Sequence, residues 1–303
     1  MLNWNNLDTL ASYQELEKAE RINLAEVMSG ENGAERVKTY STPIVDGLTF
    51  NYAAKAVDDN VLAILDKLAK EAQLVEKYES LYNGAVINTG EKRLVLHQLT
   101  RGQLGGKVEA DGVDKREFYV TQQKRIAEFA NQVHAGEITN AAGEKFTTVV
   151  QIGIGGSDLG PRALYIALEN WAKANNTFKM EAKFISNVDP DDAAAVLDSI
   201  DVEHSLFVLV SKSGTTLETL TNESFVKDAL AKAGLDASKH MIAVTSETSP
   251  LAKSDDYLAA FFMDDFIGGR YSSTSAVGGA VLSLAFGPEV FAQFLEGAAE
   301  VDR

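Results

Sequence analysis

An arginine near the end of the chain stands between a pair of glycines and a cluster of hydroxyl residues. Residues 268–269 are both glycine, Arg270 follows them, and residues 272–275 read Ser-Ser-Thr-Ser. The glycines let a ligand approach the main chain, and a guanidinium offers a fork of donors to carboxylate, phosphate or enediolate oxygens. The pattern predicts an anion site at Arg270. An ion pair with Asp264 or Asp265 would be the structural alternative.

A second cluster of polar residues follows the apolar run Leu206–Val210 and reads Ser-Lys-Ser-Gly-Thr-Thr. Hydroxyls, a glycine and a helix start can surround a phosphate with N–H and O–H donors, and the lysine adds net charge. The spacing is not that of a nucleotide triphosphate loop. A simple Ser/Thr helix cap is the alternative. The predicted phosphate contacts are Ser211, Lys212, Ser213, Gly214, Thr215 and Thr216.

A third candidate loop, residues 153–160, reads Gly-Ile-Gly-Gly-Ser-Asp-Leu-Gly after another apolar run. Its glycines can turn main-chain N–H groups toward a ligand, and the following helix start adds partial positive charge. Gly156 and Ser157 are the candidate contacts. A dinucleotide fingerprint would need a small residue where Asp158 stands, so no nicotinamide cofactor is expected. A tight turn that serves only helix packing remains the alternative.

These three loops require elements that bring them to one edge of a sheet. Five short apolar runs alternate with helical segments, a rhythm typical of a doubly wound α/β layer. Ligands bind such layers where strands end and helices begin. The fold class predicted is therefore a five-stranded parallel sheet flanked by helices. The predicted strands are residues 148–154, 182–186, 206–210, 241–245 and 260–263.

The first part of the chain has apolar residues at helical spacing, as in residues 61–72, and few strand-like runs. A mainly helical N-terminal region is therefore expected before the α/β layer. The predicted boundaries are 1–115 for the helical region, 116–288 for the α/β domain, and 289–303 for the start of a helical connection.

Composition limits the classes of partner. The 303 residues include 28 basic and 44 acidic side chains, a net charge of −16, which opposes binding to nucleic acid or anionic membranes. There is no cysteine, hence no disulfide or thiolate metal site, and the four histidines are too scattered for a metal-ligand pair on one helix turn. No cofactor or metal is expected. A start without a secretory signal and no long apolar stretch indicate a cytoplasmic location.

The loops, together with the segment Asn88–Arg101, resemble the glucose-6-phosphate isomerase family and its sugar-isomerase (SIS) domain. Residues 88–101 are similar to the family's Asn-x-Thr-Glu-x-Arg-x-Val-Leu-His segment, with Gly90 where threonine is usual. The resemblance covers the chain from about Ile87 to its end. It implies that Gly156 and Ser157 contact sugar, that residues 211–216 bind phosphate, and that Arg270 is the catalytic arginine.

The resemblance also implies an activity, the interconversion of glucose 6-phosphate and fructose 6-phosphate through a cis-enediolate in glycolysis and gluconeogenesis. A homodimer is expected for the full-length family member. The family's glutamate base, ring-opening histidine and C-terminal lysine have no match in these residues. We therefore expect a truncated chain that lacks a second SIS domain and is weakly active or inactive by itself.

Two alternatives stay open at this stage. One is a single-domain sugar-phosphate isomerase that takes its base from this chain, with Glu218, Glu223 or Asp158 as candidates. The other is a phosphosugar-sensing SIS module without catalysis. Net charge −16 and the lack of a basic recognition helix argue against a DNA-binding function.

Overall fold

The computed structural model describes residues 2–303 and divides the chain into two compact units. The first unit extends to Asn83 and also includes Glu300–Arg303, and the second is Gly84–Ala299. The boundaries at 115 and 288 remain predictions about domains.

The first unit is mainly helical. Its helices and strands are α1 (Ala11–Glu17), α2 (Leu24–Val27), α3 (Gly30–Thr39), β1 (Ser41–Val45), β2 (Leu48–Asn51), α4 (Asp59–Glu71) and α5 (Leu74–Tyr82). The Asp58 carboxylate caps α4 by accepting from Val61 N at 2.8 Å. Glu71, at the end of α4, accepts from Ala11 N and Ser12 N at 3.0 and 2.8 Å and so caps α1. These caps satisfy N–H groups that have no acceptor within their own helix.

The antiparallel hairpin of β1 and β2 was not expected from the sequence. Its turn contains Asp46 and Gly47, and Gly47 has φ +74°, a conformation that favours glycine. Arg36 is buried beside the segment after the hairpin and donates to the carbonyl oxygens of Ala53, at 2.8 Å, and Val57, at 2.6 Å. This one side chain therefore fixes the segment that leads toward α4.

The second unit contains the sheet. Its elements are α6 (His97–Arg101), β3 (Glu109–Ala110), β4 (Val113–Asp114), α7 (Lys115–Ala135), β5 (Thr148–Ile152), α8 (Leu159–Ala174), β6 (Glu181–Ile185), α9 (Pro190–Asp198), β7 (Ser205–Val210), α10 (Leu217–Lys232), β8 (Met241–Ser246), β9 (Ala259–Met263), α11 (Ala276–Phe286) and α12 (Pro288–Val301), which belongs to this unit as far as Ala299.

The five long strands form one parallel sheet in the order β6-β5-β7-β8-β9. This confirms the predicted doubly wound α/β class. The chain passes from β5 to β6 on one side and then returns to add β7 on the other side of β5. The order therefore reverses between β5 and β7, and such a switch point opens a crevice at the carboxyl ends of its strands.

Each face of the sheet packs against its own helices. Along β7, Leu206, Val208 and Val210 join the cluster formed with α7, α8, α11 and α12. Phe207 and Leu209 point to the opposite cluster, with α9 and α10. Because both faces are covered, the strands are continuous apolar runs, as buried parallel strands are.

We expect Leu209→Ala to lower the free energy of unfolding by about 2–5 kcal/mol, because it removes a fully buried side chain between β7 and its helices. Leu217→Ala is the matched control, since that leucine is 74% exposed and should change stability by less than about 0.5 kcal/mol. Urea unfolding measures both. Equal effects would contradict the placement of Leu209.

Candidate functional site

The loop after β5 is shaped by its glycines. It forms a short 3-10 turn at Gly155–Ser157, in which Gly155 has φ +58°. A Cβ on Gly156 would lie 2.3 Å from the carbonyl oxygen of Gly269, which no side chain can tolerate without movement of the backbone. Two glycine loops thus meet by backbone contact.

The loop that carries Arg270 follows β9 and forms a 3-10 turn at Gly269–Thr274. Ser272 Oγ lies 2.9 Å from the carbonyl oxygen of Gly269 and 3.2 Å from that of Gly156, so its hydroxyl bridges the two loops. Ser275 then caps α11, a helix whose eleven residues are all buried. The arginine loop is therefore attached to the core at its C-terminal end.

The Arg270 guanidinium has no hydrogen bond or ion pair within residues 2–303, and the side chain is exposed. The two aspartates that could have neutralised it have other partners. Asp264 accepts from Tyr119 and pairs with Lys115, and Asp265 pairs with Arg93 and Lys212. The alternative, an ion pair of Arg270 with Asp264 or Asp265, is therefore absent from residues 2–303.

Arg270 lines a cavity of about 450 Å³ between the two glycine loops. Its lining residues are Gly155, Gly156, Leu159, Gly160, Gly269 and Arg270. The structure thus brings together Gly156 and Arg270, which were predicted from separate motifs. Ser157 is not among the lining residues, and its carbonyl oxygen accepts a hydrogen bond from Gln151 at 2.6 Å.

The Ser211–Thr216 loop follows β7, the neighbour of β5, at the same edge of the sheet. Gly214 has φ +67°, and its N–H donates to Ser211 Oγ at 3.2 Å. Ser213 Oγ accepts from both the N–H and the hydroxyl of Thr215, at 3.2 and 3.0 Å. These internal bonds hold the loop in a tight turn while leaving the Ser213 hydroxyl proton available to a ligand.

Thr216 occupies the N-cap position of α10, but its side chain makes no capping hydrogen bond. Thr216 therefore does not act as the simple helix cap that was the alternative interpretation of this cluster. The first N–H groups of α10 remain directed toward the loop, as they are at any helix start. Such a start combines N–H donors with partial positive charge, and it suits an anion.

His97 is one of the four scattered histidines, and the structure places it against the arginine loop. Its Nε2 lies 2.9 Å from Gly268 N, which donates to it, and 3.1 Å from the Gly268 carbonyl oxygen. The first contact uses Nε2 as an acceptor and the second uses Nε2–H as a donor, so either neutral tautomer holds the ring against the Gly268 backbone. Burial lowers the pKa of His97 below its ordinary 6.5 and favours the neutral form.

The start of the arginine loop is anchored by Asp264. Tyr119 donates to both carboxylate oxygens, each at 3.0 Å, and Lys115 Nζ lies 3.4 Å from Oδ2. Burial raises the pKa of Asp264, and the charge of Lys115 opposes that rise. Both partners are on the first two turns of α7, so this helix fixes the loop where it leaves β9.

The three acids considered as bases lie outside the Arg270 cavity. Asp158 is buried and bonded to Arg162 at 2.8 Å, and burial raises its pKa despite this cation. The Glu223 carboxylate accepts from Tyr257 at 2.6 Å and pairs with Lys227 at 2.9 Å. Glu218 is exposed in the first turn of α10. The six residues that line the cavity include no carboxylate.

The described residues contain neither a metal site nor a helix able to span a membrane. Between residues 2 and 303, no group of three His, Asp or Glu side chains is arranged to hold a metal ion. In the same part of the chain, every helix is too short or too polar to cross a bilayer.

We expect Gly156→Ala to destabilise the chain by about 1–3 kcal/mol, because the new Cβ must push Gly269 away. Gly297→Ala is the matched control: no atom lies within 4 Å of its Cβ position inside α12, and the change should stabilise by about 0.5–1 kcal/mol. Urea unfolding gives both values. If Gly156→Ala left the free energy of unfolding unchanged, the two loops would not be in contact.

We expect His97→Gln to flatten the dependence of stability on pH. The folded-state pKa of His97 is lowered, so its contribution is complete above the unfolded-state value near 6.5 and declines as the pH falls toward the folded-state pKa. The free energy of unfolding should rise with pH more steeply for wild type than for the variant, by at most about 1.4 kcal/mol per pH unit. Urea unfolding between pH 5 and 7.5 measures it.

His204→Gln provides a control of opposite sign. Hydrogen bonds to Glu144 and Asp201 raise the pKa of His204, so its contribution is present at low pH and is lost as the pH rises through the folded-state pKa. Identical pH profiles for wild type and His97→Gln would contradict the neutral, hydrogen-bonded His97.

The sequence and the fold of the chain both match those of known proteins. Residues 51–303 match the phosphoglucose isomerase family. The whole chain is 59% identical to a glucose-6-phosphate isomerase of Treponema denticola and 44% identical to one of Borreliella afzelii, and it spans 58% and 57% of those proteins.

A crystal structure of a glucose-6-phosphate isomerase from Chlamydia trachomatis superposes with a TM-score of 0.86 at 38% identity. The match covers 98% of this chain and 56% of that protein. The chain thus spans little more than half the length of these relatives. By sequence and by fold, it belongs to the phosphoglucose isomerase family.

Proposed function

We propose that this chain supplies the phosphate site and the catalytic arginine of an enzyme that interconverts glucose 6-phosphate and fructose 6-phosphate. The observation that carries the proposal is the Arg270 guanidinium, which has no protein partner within residues 2–303 and lines the cavity between two glycine loops. A cation in such a place can bind an oxygen that becomes negative during a reaction.

The phosphate of the substrate binds at Ser211–Thr216 in this proposal. The first N–H groups of α10, the Ser213 hydroxyl and the Lys212 ammonium supply hydrogen bonds and charge. Gly156 and Ser157, on the next strand end, contact the sugar. The chain has a net charge of −16, so these local donors and the lysine must provide the attraction for an anionic ligand.

The chemical step is a proton transfer between C2 and C1 of the open-chain sugar. A base removes the proton from one carbon and returns it to the other through a cis-enediolate, so no redox partner is needed. Arg270 stabilises the negative oxygen of the enediolate, because a cation placed beside an oxygen that becomes negative stabilises the developing charge. Asp264 and His97 hold the part of the loop that precedes it.

We further propose that the general base lies outside these 303 residues. The acids Asp158, Glu218 and Glu223 are engaged elsewhere or exposed, and no carboxylate lines the cavity. The complete enzyme is proposed to be a cytoplasmic homodimer that does not bind nucleic acid. The relatives named as glucose-6-phosphate isomerases support this choice over a sensing module.

The test is a coupled assay of glucose 6-phosphate formation from fructose 6-phosphate. The chain is assayed alone and mixed with the C-terminal part of the Treponema denticola relative, which this chain does not span. We expect turnover only in the mixture. Turnover by the chain alone would show that the base is within it, and failure of both would contradict the proposed activity.

In the active mixture, Arg270→Gln should lower kcat/KM by about 100–1,000-fold, the cost of removing one strong donor from a developing oxyanion. Binding of inorganic phosphate to the chain should stay within about twofold of wild type, because Arg270 is not in the phosphate loop. Arg21→Gln removes an exposed arginine of the first unit and is the matched control. Equal activity of the two variants would exclude Arg270 from catalysis.

A further inference from the structure

Asp265 forms a bridge between the proposed phosphate loop and a neighbouring turn. Its Oδ1 lies 3.4 Å from Lys212 Nζ, and its Oδ2 lies 3.5 Å from Arg93. The side chains of Lys212 and Arg93 are 35% and 37% exposed, so the group is open to solvent. Asp265 belongs to the loop that carries Arg270, and this carboxylate therefore joins the two proposed ligand-binding loops.

Lys212 is the one cationic residue of Ser211–Thr216, and the Asp265 carboxylate offsets its charge. We propose that Asp265 is a positioning residue that holds Lys212 in an ion pair which phosphate must displace, so that Asp265 weakens phosphate binding and favours release. This inference rests on the proposed function, because it requires a phosphate at Ser211–Thr216.

The geometry favours such an exchange. The 3.4 Å separation of Lys212 and Asp265 is longer than a charge-assisted hydrogen bond, and partly exposed pairs of this kind contribute little stability. A phosphate carries more charge than a carboxylate, and it can also accept from the N–H groups at the start of α10. Lys212 can therefore change partner at small cost.

Asp265 keeps a counter-ion when Lys212 leaves it. Arg93 remains at its other oxygen, and the backbone is fixed by the preceding residue, Asp264, through Tyr119 and Lys115. The lysine, whose side chain is long and flexible, is the partner that moves. The carboxylate then stays near the phosphate loop and opposes the bound anion.

The test is a titration of the 303-residue chain with inorganic phosphate at low ionic strength, followed at the Gly214 amide by 15N TROSY spectra. We expect Asp265→Asn to tighten phosphate binding about two- to fivefold, the range that corresponds to an exposed ion pair. The gain should shrink as KCl is added, because salt screens exposed charges. In a Lys212→Met background, Asp265→Asn should give a smaller gain than in wild type.

Asp256→Asn is the matched control. Asp256 is an exposed aspartate of the same unit, and it pairs with Lys227 at 3.2 Å. The variant removes the same charge and one lysine pair, and it should bind phosphate as wild type does. A merely structural role for Asp265 would change thermal stability without tightening binding.

The outcomes separate this inference from the function on which it rests. If wild type binds phosphate at Gly214 and Asp265→Asn binds equally or more weakly, the competition is overturned and the phosphate site stands. If neither wild type nor variant shifts the Gly214 amide, both are overturned. If Asp265→Asn tightens phosphate binding as much in the Lys212→Met background as in wild type, the competition is also overturned, because the effect would not act through Lys212.

Discussion

Burial of the sheet on both faces determines where polar chemistry can occur in this unit. Every residue of β5 and β7 is buried, and separate apolar clusters cover the two sides. A charge within that layer would lose its hydration without gaining a partner. The polar loops therefore collect at the carboxyl edge, where the strands stop and the helix starts offer N–H groups.

Much of this architecture was predictable because buried parallel strands leave a strong sequence signal. Uninterrupted apolar runs separated by helical segments identified all five strands, and the prediction of a doubly wound sheet is confirmed. The hairpin at residues 41–51 was missed for the opposite physical reason. Each residue of its second strand is exposed, so the strand has no buried apolar run. The Asp46-Gly47 turn and the apolar–polar alternation of residues 48–51 were the available indications.

The loops of the candidate site were predictable from the sequence, but the contacts between them were not. Glycine and hydroxyl clusters marked Gly156 and Arg270 separately, yet only the structure shows that the Gly156 backbone fits against Gly269. His97 left no comparable signal, since its partner is the backbone of Gly268 and a backbone contact does not depend on residue type. Its position in the Asn88–Arg101 segment was the one available indication. The roles assigned to Gly156, Ser157, residues 211–216 and Arg270 remain predictions.

Thr216 has a consequence for the dynamics of α10. A helix of sixteen residues begins there without a side-chain cap, and a capping side chain is ordinarily worth about 0.5–2 kcal/mol. The first turn is thus the part of α10 whose order depends most on what accepts its N–H groups. An anion at this position would replace the cap, and amide exchange in that turn would slow as the ligand is held. Ligand dissociation and fraying of the first turn of α10 would then be coupled.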